Sequence, residues 1–266
     1  MAQDFAYRNY SHTQGKIKNS GGGRLSRDSN GHKLSRNFLV NPEVVARMIA
    51  VADPSGSVVE PWAGEGVLTL ALARRGARVT DYEQDPLPAA KLAARTRAEN
   101  RIHVVRSDFG KAKVPREPFA VIGNIPLAAT TRIVDWCLAA PTLTSATLLI
   151  QQEHKRWSLE TAVTWPWFDW QLHGQADRDS FRPAAAVDAT ILHLRRRAEP
   201  MVRERDSYTE LVRLGFTGAD GPVHAALRAR HPGVDQALAV AGVENGAAAG
   251  DVHPDQWVRL HDQLVA

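Results

Sequence analysis

Apolar residues along this chain switch repeatedly between two spacings. The stretches "SVVEPW", "RVTDYE", "HVVRSDF", "FAVIGNI" and "SATLLIQQ" are short, nearly continuous apolar runs that end in turn residues or polar groups. They predict strands covered on both faces, because only such strands can dispense with a polar side. Between them, "NPEVVARMIAVA", "GVLTLALARRG", "PLPAAKLAARTRAEN" and "TTRIVDWCLAA" repeat their apolar positions at helical spacing. Asn41 is placed to cap the first of these helices with Pro42 at its first position, and Gly76 closes the second. Strand and helix in alternation predict an α/β fold built on a parallel, doubly wound sheet. Two further runs, "FDWQLHGQADRDSF" and "VDATILHLRRR", predict an antiparallel pair at the sheet edge. After Pro200 only short helical patterns remain: "SYTELVRLGF", "GPVHAALRAR", "GVDQALAVAG" and "HPDQWVRLHDQLV".

The first forty residues follow neither period. They carry Arg8, Lys16, Lys18, Arg24, Arg27, Lys33 and Arg36 against only Asp4 and Asp28, whereas the whole 266-residue chain has a net charge of +4. A flexible basic arm over residues 1–33 suits a polyanion, since each cation that meets a phosphate releases condensed counterions. A solvated tail kept for solubility explains the same composition. The 44% apolar content then supplies a core for a sheet domain over 34–198 and a small helical domain over 199–266. Cys137 is the only cysteine, so an intrachain disulfide is excluded and a reducing cytoplasm is expected. No stretch approaches the ~18 consecutive apolar residues of a membrane span. No signal-peptide pattern follows the basic residues, and the ten histidines lack metal-site spacing. Neither membrane nor metal is expected.

Candidate chemistry gathers at strand ends. In "VVEPWAGEGVLTLAL", Gly64 and Gly66 let the backbone pass close under a ligand at a helix N-terminus. Glu83 ends the next strand and can accept both hydroxyls of a ribose. Asp108 ends the one after and can accept an exocyclic adenine amine. Such carboxyl ends line one crevice in an open α/β sheet, although both acids also suit helix caps. A nicotinamide cofactor is disfavoured because Thr69 takes the place of the third glycine of its fingerprint. Glu60 at the head of the turn would repel a pyrophosphate and suits the cationic sulfonium of S-adenosylmethionine.

The fourth strand stops at Asn124-Ile125-Pro126. An aromatic amine is a poor nucleophile because its lone pair is delocalised into the ring. If the Asn124 side-chain oxygen and the Ile125 carbonyl each accept one N–H, the nitrogen is drawn toward tetrahedral geometry and the lone pair is freed. Pro126 fixes the backbone that presents the carbonyl. An Asn that merely caps the following helix reads the same way in isolation.

In order, "LSRNFL", "EPWAGEG", "YEQDP", "SDF", "GNIP", "WCLAAPT", "RWS…TWPWF" and "FRPAAAVDATILHLRRRAEP" resemble the motifs of the ribosomal RNA adenine dimethyltransferases. Within them the chain is most similar to the Erm macrolide-resistance enzymes. The resemblance runs from about Leu34 to the end. It implies a Rossmann-like, S-adenosylmethionine-dependent catalytic domain followed by a helical RNA-binding domain. It also implies N6-methylation of an adenine in 23S ribosomal RNA, on naked RNA or an assembly intermediate, by a monomer. By position it assigns the cofactor to Asn37, Leu39, Glu60, Gly64, Gly66, Glu83, Asp108, Phe109 and Asn124. The target base falls to Asn124, Ile125, Pro126 and the residue after it, with Phe181 of "FRP" stacking on the flipped ring; a plain core Phe is the other reading of Phe181.

Four departures from the family pattern stand out. Arg36 replaces a Gln, Trp62 replaces the first glycine of the turn, and a basic loop between Glu153 and Arg156 is shortened. Leu127 replaces a Tyr or Phe, which leaves Phe181 as the one stacking face and predicts chiefly one methyl group per adenine. The small-subunit RNA dimethyltransferases share this chemistry, and an RNA-binding relative with lost transfer would share the fold. Both stay open on sequence.

Overall fold

The structure, a computed structural model, describes residues 37–151, 158–218 and 221–265. The basic arm, Arg36 and the Glu153–Arg156 stretch lie outside them. The described chain begins with a two-residue strand, β1 (Phe38–Leu39). Helix α1 (Pro42–Ala52) follows at its expected cap, where the Asn41 side chain accepts the Glu43 N–H at 2.9 Å. Then come β2 (Ser57–Pro61), α2 (Val67–Arg74), β3 (Arg78–Tyr82), α3 (Pro86–Arg95), β4 (Ile102–Val105), β5 (Phe119–Asn124), α4 (Thr130–Ala139) and β6 (Leu143–Gln151). Beyond them lie α5 (Leu159–Thr164), β7 (Phe168–Ala176), β8 (Phe181–Arg182) and β9 (Ala189–Arg196). Helices α6 (Arg205–Phe216), α7 (Val223–Arg228), α8 (Val234–Ala241) and α9 (Pro254–Leu264) complete the chain.

The main sheet has the order β4-β3-β2-β5-β6-β9-β7. All pairs from β4 to β6 are parallel, and β9 runs against both of its neighbours. The chain moves outward through β3 and β4, then returns to place β5 on the other side of β2. That reversal opens a crevice at the carboxyl ends of β2 and β5, where such sheets bind ligands. One apolar layer packs α1 onto the sheet through Val44, Met48 and Ile49 against Val58, Ile122 and Ile191. On the opposite face Phe119, Ile133, Cys137, Leu148 and Leu192 form a second layer. Burial pushes the Cys137 thiol far above its ordinary range, which leaves it an inert core group.

Two expectations differ from what is observed. Residues 168–181 do not form one strand. The polar run Asp177–Ser180 turns instead, with the Ser180 N–H donating to Asp177 O at 2.8 Å, because it offers nothing to bury. Phe181 is thereby delivered to β8, which pairs antiparallel with β1, Leu39 opposite Phe181. Helix α3 ends at Thr96, whose hydroxyl donates back to Leu92 O at 2.9 Å, short of the expected Asn100. Across the expected boundary at 198/199, Arg197 N–H donates to Trp167 O and Met201 N–H to Pro166 O. The second apolar layer continues past it through Trp165, Tyr208 and Trp257 into the helical part. There the Tyr208 hydroxyl donates to Ala162 O at 2.9 Å, and Trp165 Nε1 donates to Asp255 at 2.7 Å. No described helix is long and apolar enough to cross a membrane.

Candidate active site

The turn after β2 is built from left-handed backbone. Trp62, Gly64 and Gly66 have φ of 54°, 59° and 81°. A Cβ on Gly64 would sit 3.1 Å from the Phe38 ring, and one on Gly66 would collide with Leu92. Gly64 therefore lets β1 lie close over the turn, while Gly66 serves the packing of α3. Trp62 tolerates a conformation that costs a non-glycine residue roughly 1–2 kcal/mol. Its indole is held against Phe109, ring centroids 6.0 Å apart.

Glu83 is buried beside this turn. One carboxylate oxygen accepts the Gly64 N–H at 3.1 Å and the other accepts the Asp85 N–H at 2.7 Å. The side chain thus fixes the glycine turn while lining the cleft. Asp108 caps a single 3-10 turn (Phe109–Lys111): its Oδ1 accepts from Gly110 N at 3.0 Å and from Arg132 Nη2 at 3.2 Å.

Glu60 requires a correction. It was expected to face a sulfonium, but it is only 2% exposed and lies beneath the turn. Register places it opposite Asp81 on the same face of adjacent parallel strands, and it accepts the Thr69 hydroxyl at 2.8 Å. Burial, reinforced by the Asp81 carboxyl, pushes Glu60 well above the usual carboxylate range; burial also pushes Asp81 up to about 7. Two facing carboxyls raised in this way both favour the protonated form, so below about pH 7 the pair is a neutral underpinning of the turn.

The cleft takes in about 830 Å³ of space, counting the solvent at its open mouth. Its walls bring together Asn37, Trp62, Gly64, Glu83, Asn124, Ile125, Pro126 and Phe181. Asn124 Nδ2 donates to the Asn37 carbonyl at 2.8 Å. A carbonyl at that place demands the N–H end of the amide, which leaves Oδ1 without a hydrogen-bond donor among the described residues. Asn37 in turn donates to Pro183 O at 2.9 Å and Ala184 O at 3.1 Å. Asn37 is therefore a clasp that carries β1 and the Phe181 segment to the end of β5. Phe181 lines the cleft but is buried, packed into the apolar layer under α1.

Leu39 and Phe109 stand behind the walls: Leu39 in the core under α1, Phe109 edge-on to Trp136 at 4.8 Å. Leu127 opens the 3-10 turn Leu127–Ala129 after Pro126, and its side chain is not among those described. Sequence reasoning missed Phe38, Arg132 and the wall formed by Ile150, Gln151 and Ala185–Ala189. Only Phe38 carried a signal, as an apolar residue beside Asn37. Among the described residues no group of three or more His, Cys, Asp or Glu side chains could hold a metal ion.

Residues 27–265 match the family described as ribosomal RNA adenine dimethylase. The chain is 42% identical to an rRNA adenine N-6-methyltransferase of Aeromicrobium erythreum, covering 95% of this chain and 78% of that one. It is 32% identical to the mycinamicin-resistance protein MyrB of Micromonospora griseorubida, over 86% of this chain and 78% of that one. The crystal structure of the 23S rRNA methyltransferase ErmE superposes with a TM-score of 0.82 at 42% identity, over 86% of this chain and all of that one.

Proposed function

This chain belongs to the ribosomal RNA adenine dimethylase family as an Erm-type methyltransferase, and we propose that it methylates N6 of an adenine in 23S ribosomal RNA. The consequence is resistance to macrolide, lincosamide and streptogramin B antibiotics. The methyl donor is S-adenosylmethionine, which when bound supplies an electrophilic methyl group on a sulfonium.

The cleft fits that cofactor by its donor set. Two acids stand just beyond the ends of neighbouring strands: Glu83 on the cleft wall beside the turn, and Asp108 outside the residues that line the cleft, with Oδ2 lacking a hydrogen-bond partner among the described residues. Glu83 would hold the ribose hydroxyls, and Asp108 the adenine amine. Gly64 and Phe38 shape the floor between them.

One observation carries the catalytic reading. Asn124 is anchored through Nδ2 to Asn37 O, so Oδ1 faces the cleft with its acceptor capacity unspent. An acceptor held in advance costs no reorganisation when the target amine arrives. With the Ile125 carbonyl beside it, the amine is held by both N–H groups, its lone pair directed away from them. No strong base is needed, because the proton is lost readily once nitrogen carries the new bond. Phe181 offers the ring against which the extruded base is held. The helical part then serves the RNA outside the cleft.

The test is nuclease digestion and mass-spectrometric mapping of ribosomal RNA from cells expressing the protein, beside cells expressing Asn124→Ala. One 23S adenine carrying one or two added methyl groups, unmodified in the variant, is expected. Added methyl groups only in small-subunit RNA, or none at all, would overturn the assignment.

A further inference from the structure

We propose that Arg132 is a positioning residue for the adenine end of the cofactor, holding Asp108 by one carboxylate oxygen so that the other reads the exocyclic amine. The proposal rests on the cofactor reading given above and deepens it. Arg132 lies in the first turn of α4, which is separated from the Asn124-Ile125-Pro126 segment only by the 3-10 turn Leu127–Ala129. Its Nη2 donates to Asp108 Oδ1 at 3.2 Å, and the Gly110 N–H donates to the same oxygen at 3.0 Å. Oδ2 accepts no hydrogen bond among the described residues. Two donors on one oxygen orient the carboxylate and leave the other as its single acceptor toward a ligand.

The same guanidinium lies 5.6 Å from the centre of the Trp62 ring, whose side chain lines the cleft. Gly110 makes room for it: a Cβ there would sit 2.9 Å from Arg132 Nη1. Three segments thus meet at one side chain: the turn after β2, the 3-10 turn after β4, and the start of α4. The ion pair is too exposed to be explained by stability. The Arg132 and Asp108 side chains are 53% and 34% accessible, and pairs of that kind add little to folding. What the arrangement does achieve is direction. A carboxylate free to rotate would share its acceptors between water and ligand; one held by Arg132 and Gly110 presents a fixed oxygen. A fixed acceptor favours a 6-amino purine and repels a 6-oxo purine, whose oxygen is itself an acceptor.

Calorimetric titration of S-adenosylhomocysteine and S-inosylhomocysteine tests this in the wild type, Arg132→Ala and Arg132→Lys. The wild type should prefer the adenosyl ligand by roughly ten- to a hundredfold, as expected for one hydrogen bond to a charged group. Arg132→Ala should reduce that preference to a few-fold by weakening the adenosyl ligand selectively. Arg132→Lys, which keeps a cation beside Asp108, should recover part of it. Equal weakening of both ligands by Arg132→Ala would overturn the proposal, because a residue that only shapes the cleft does not alter the ratio. So would an unchanged ratio, or a wild type that shows no preference. A wild type that binds neither ligand would overturn the cofactor reading itself, and the proposal with it.

Discussion

Replacing Asp81 with Asn should make the folded protein markedly less sensitive to pH. Asp81 is fully buried opposite Glu60, and burial raises its pKa to about 7. In the unfolded chain an Asp titrates near 3.9. Between those two values the folded protein holds a proton on Asp81 that the unfolded chain has lost. Stability then falls with rising pH: the contribution is fully present below about pH 4 and is gone once pH passes through 7. One full proton corresponds to about 1.4 kcal/mol per pH unit, and Asp81 is half deprotonated by pH 7, so it accounts for roughly 2 kcal/mol of loss between pH 5 and pH 7. Asp81→Asn keeps the shape, gives Glu60 an N–H donor and removes that titration. Urea unfolding followed by tryptophan fluorescence at pH 5, 6 and 7 should give a pH slope shallower by about one proton in the variant. Parallel slopes for the two proteins would refute the protonated state of Asp81 in the folded protein, and with it the neutral pair beneath the turn.

Asn124→Ala should lower methyl transfer by about 10²–10³-fold while S-adenosylhomocysteine affinity stays near wild type, since the lost acceptor faces the target amine; matched losses in both would instead point to collapse of the Asn37 clasp. Gly64→Ala forces a side chain into left-handed backbone and against the Phe38 ring, and should weaken cofactor binding roughly 5–30-fold by calorimetry. Leu127→Tyr adds a second ring for the base, worth about 1–3 kcal/mol of stacking, and should raise the dimethylated share of the target nucleoside by mass spectrometry. Rapid, complete dimethylation by the wild type would show that one ring suffices.

The parallel strands were legible because a strand covered on both faces cannot hide its apolar run. Helix α1 was legible because Asn41 and Pro42 announce its start. Two-residue pairings leave no such trace. The β1–β8 ladder exists because Leu39 and Phe181 bury their side chains into the layer under α1, and no local period reports that. The short helix α5 was missed for a similar reason, since six residues give little more than one repeat.

The site divides along the same line. Residues whose chemistry depends on the end of a strand, such as Glu83 and Asn124, stand where chain order alone puts them, at the mouth of the crevice. Residues whose chemistry depends on a neighbour across the fold do not. Glu60 reads as an acid at the head of a ligand turn, and whether it meets solvent or another carboxyl is decided by register with β3. The clue was present in "RVTDYE": at a period of two, Asp81 shares the face of Val79, which is buried, so an acid in the core was already implied. Asn37 shows a second role that the sequence did not report. It lines the cleft, and its side chain donates to Pro183 and Ala184 while its backbone carbonyl accepts from Asn124. The amide that prepares the amine acceptor is thus held by a strand 87 residues earlier in the chain, itself clasped to the segment carrying Phe181. Acceptor and stacking ring are set by one connected element, so a substitution that loosens β1 should disturb both at once.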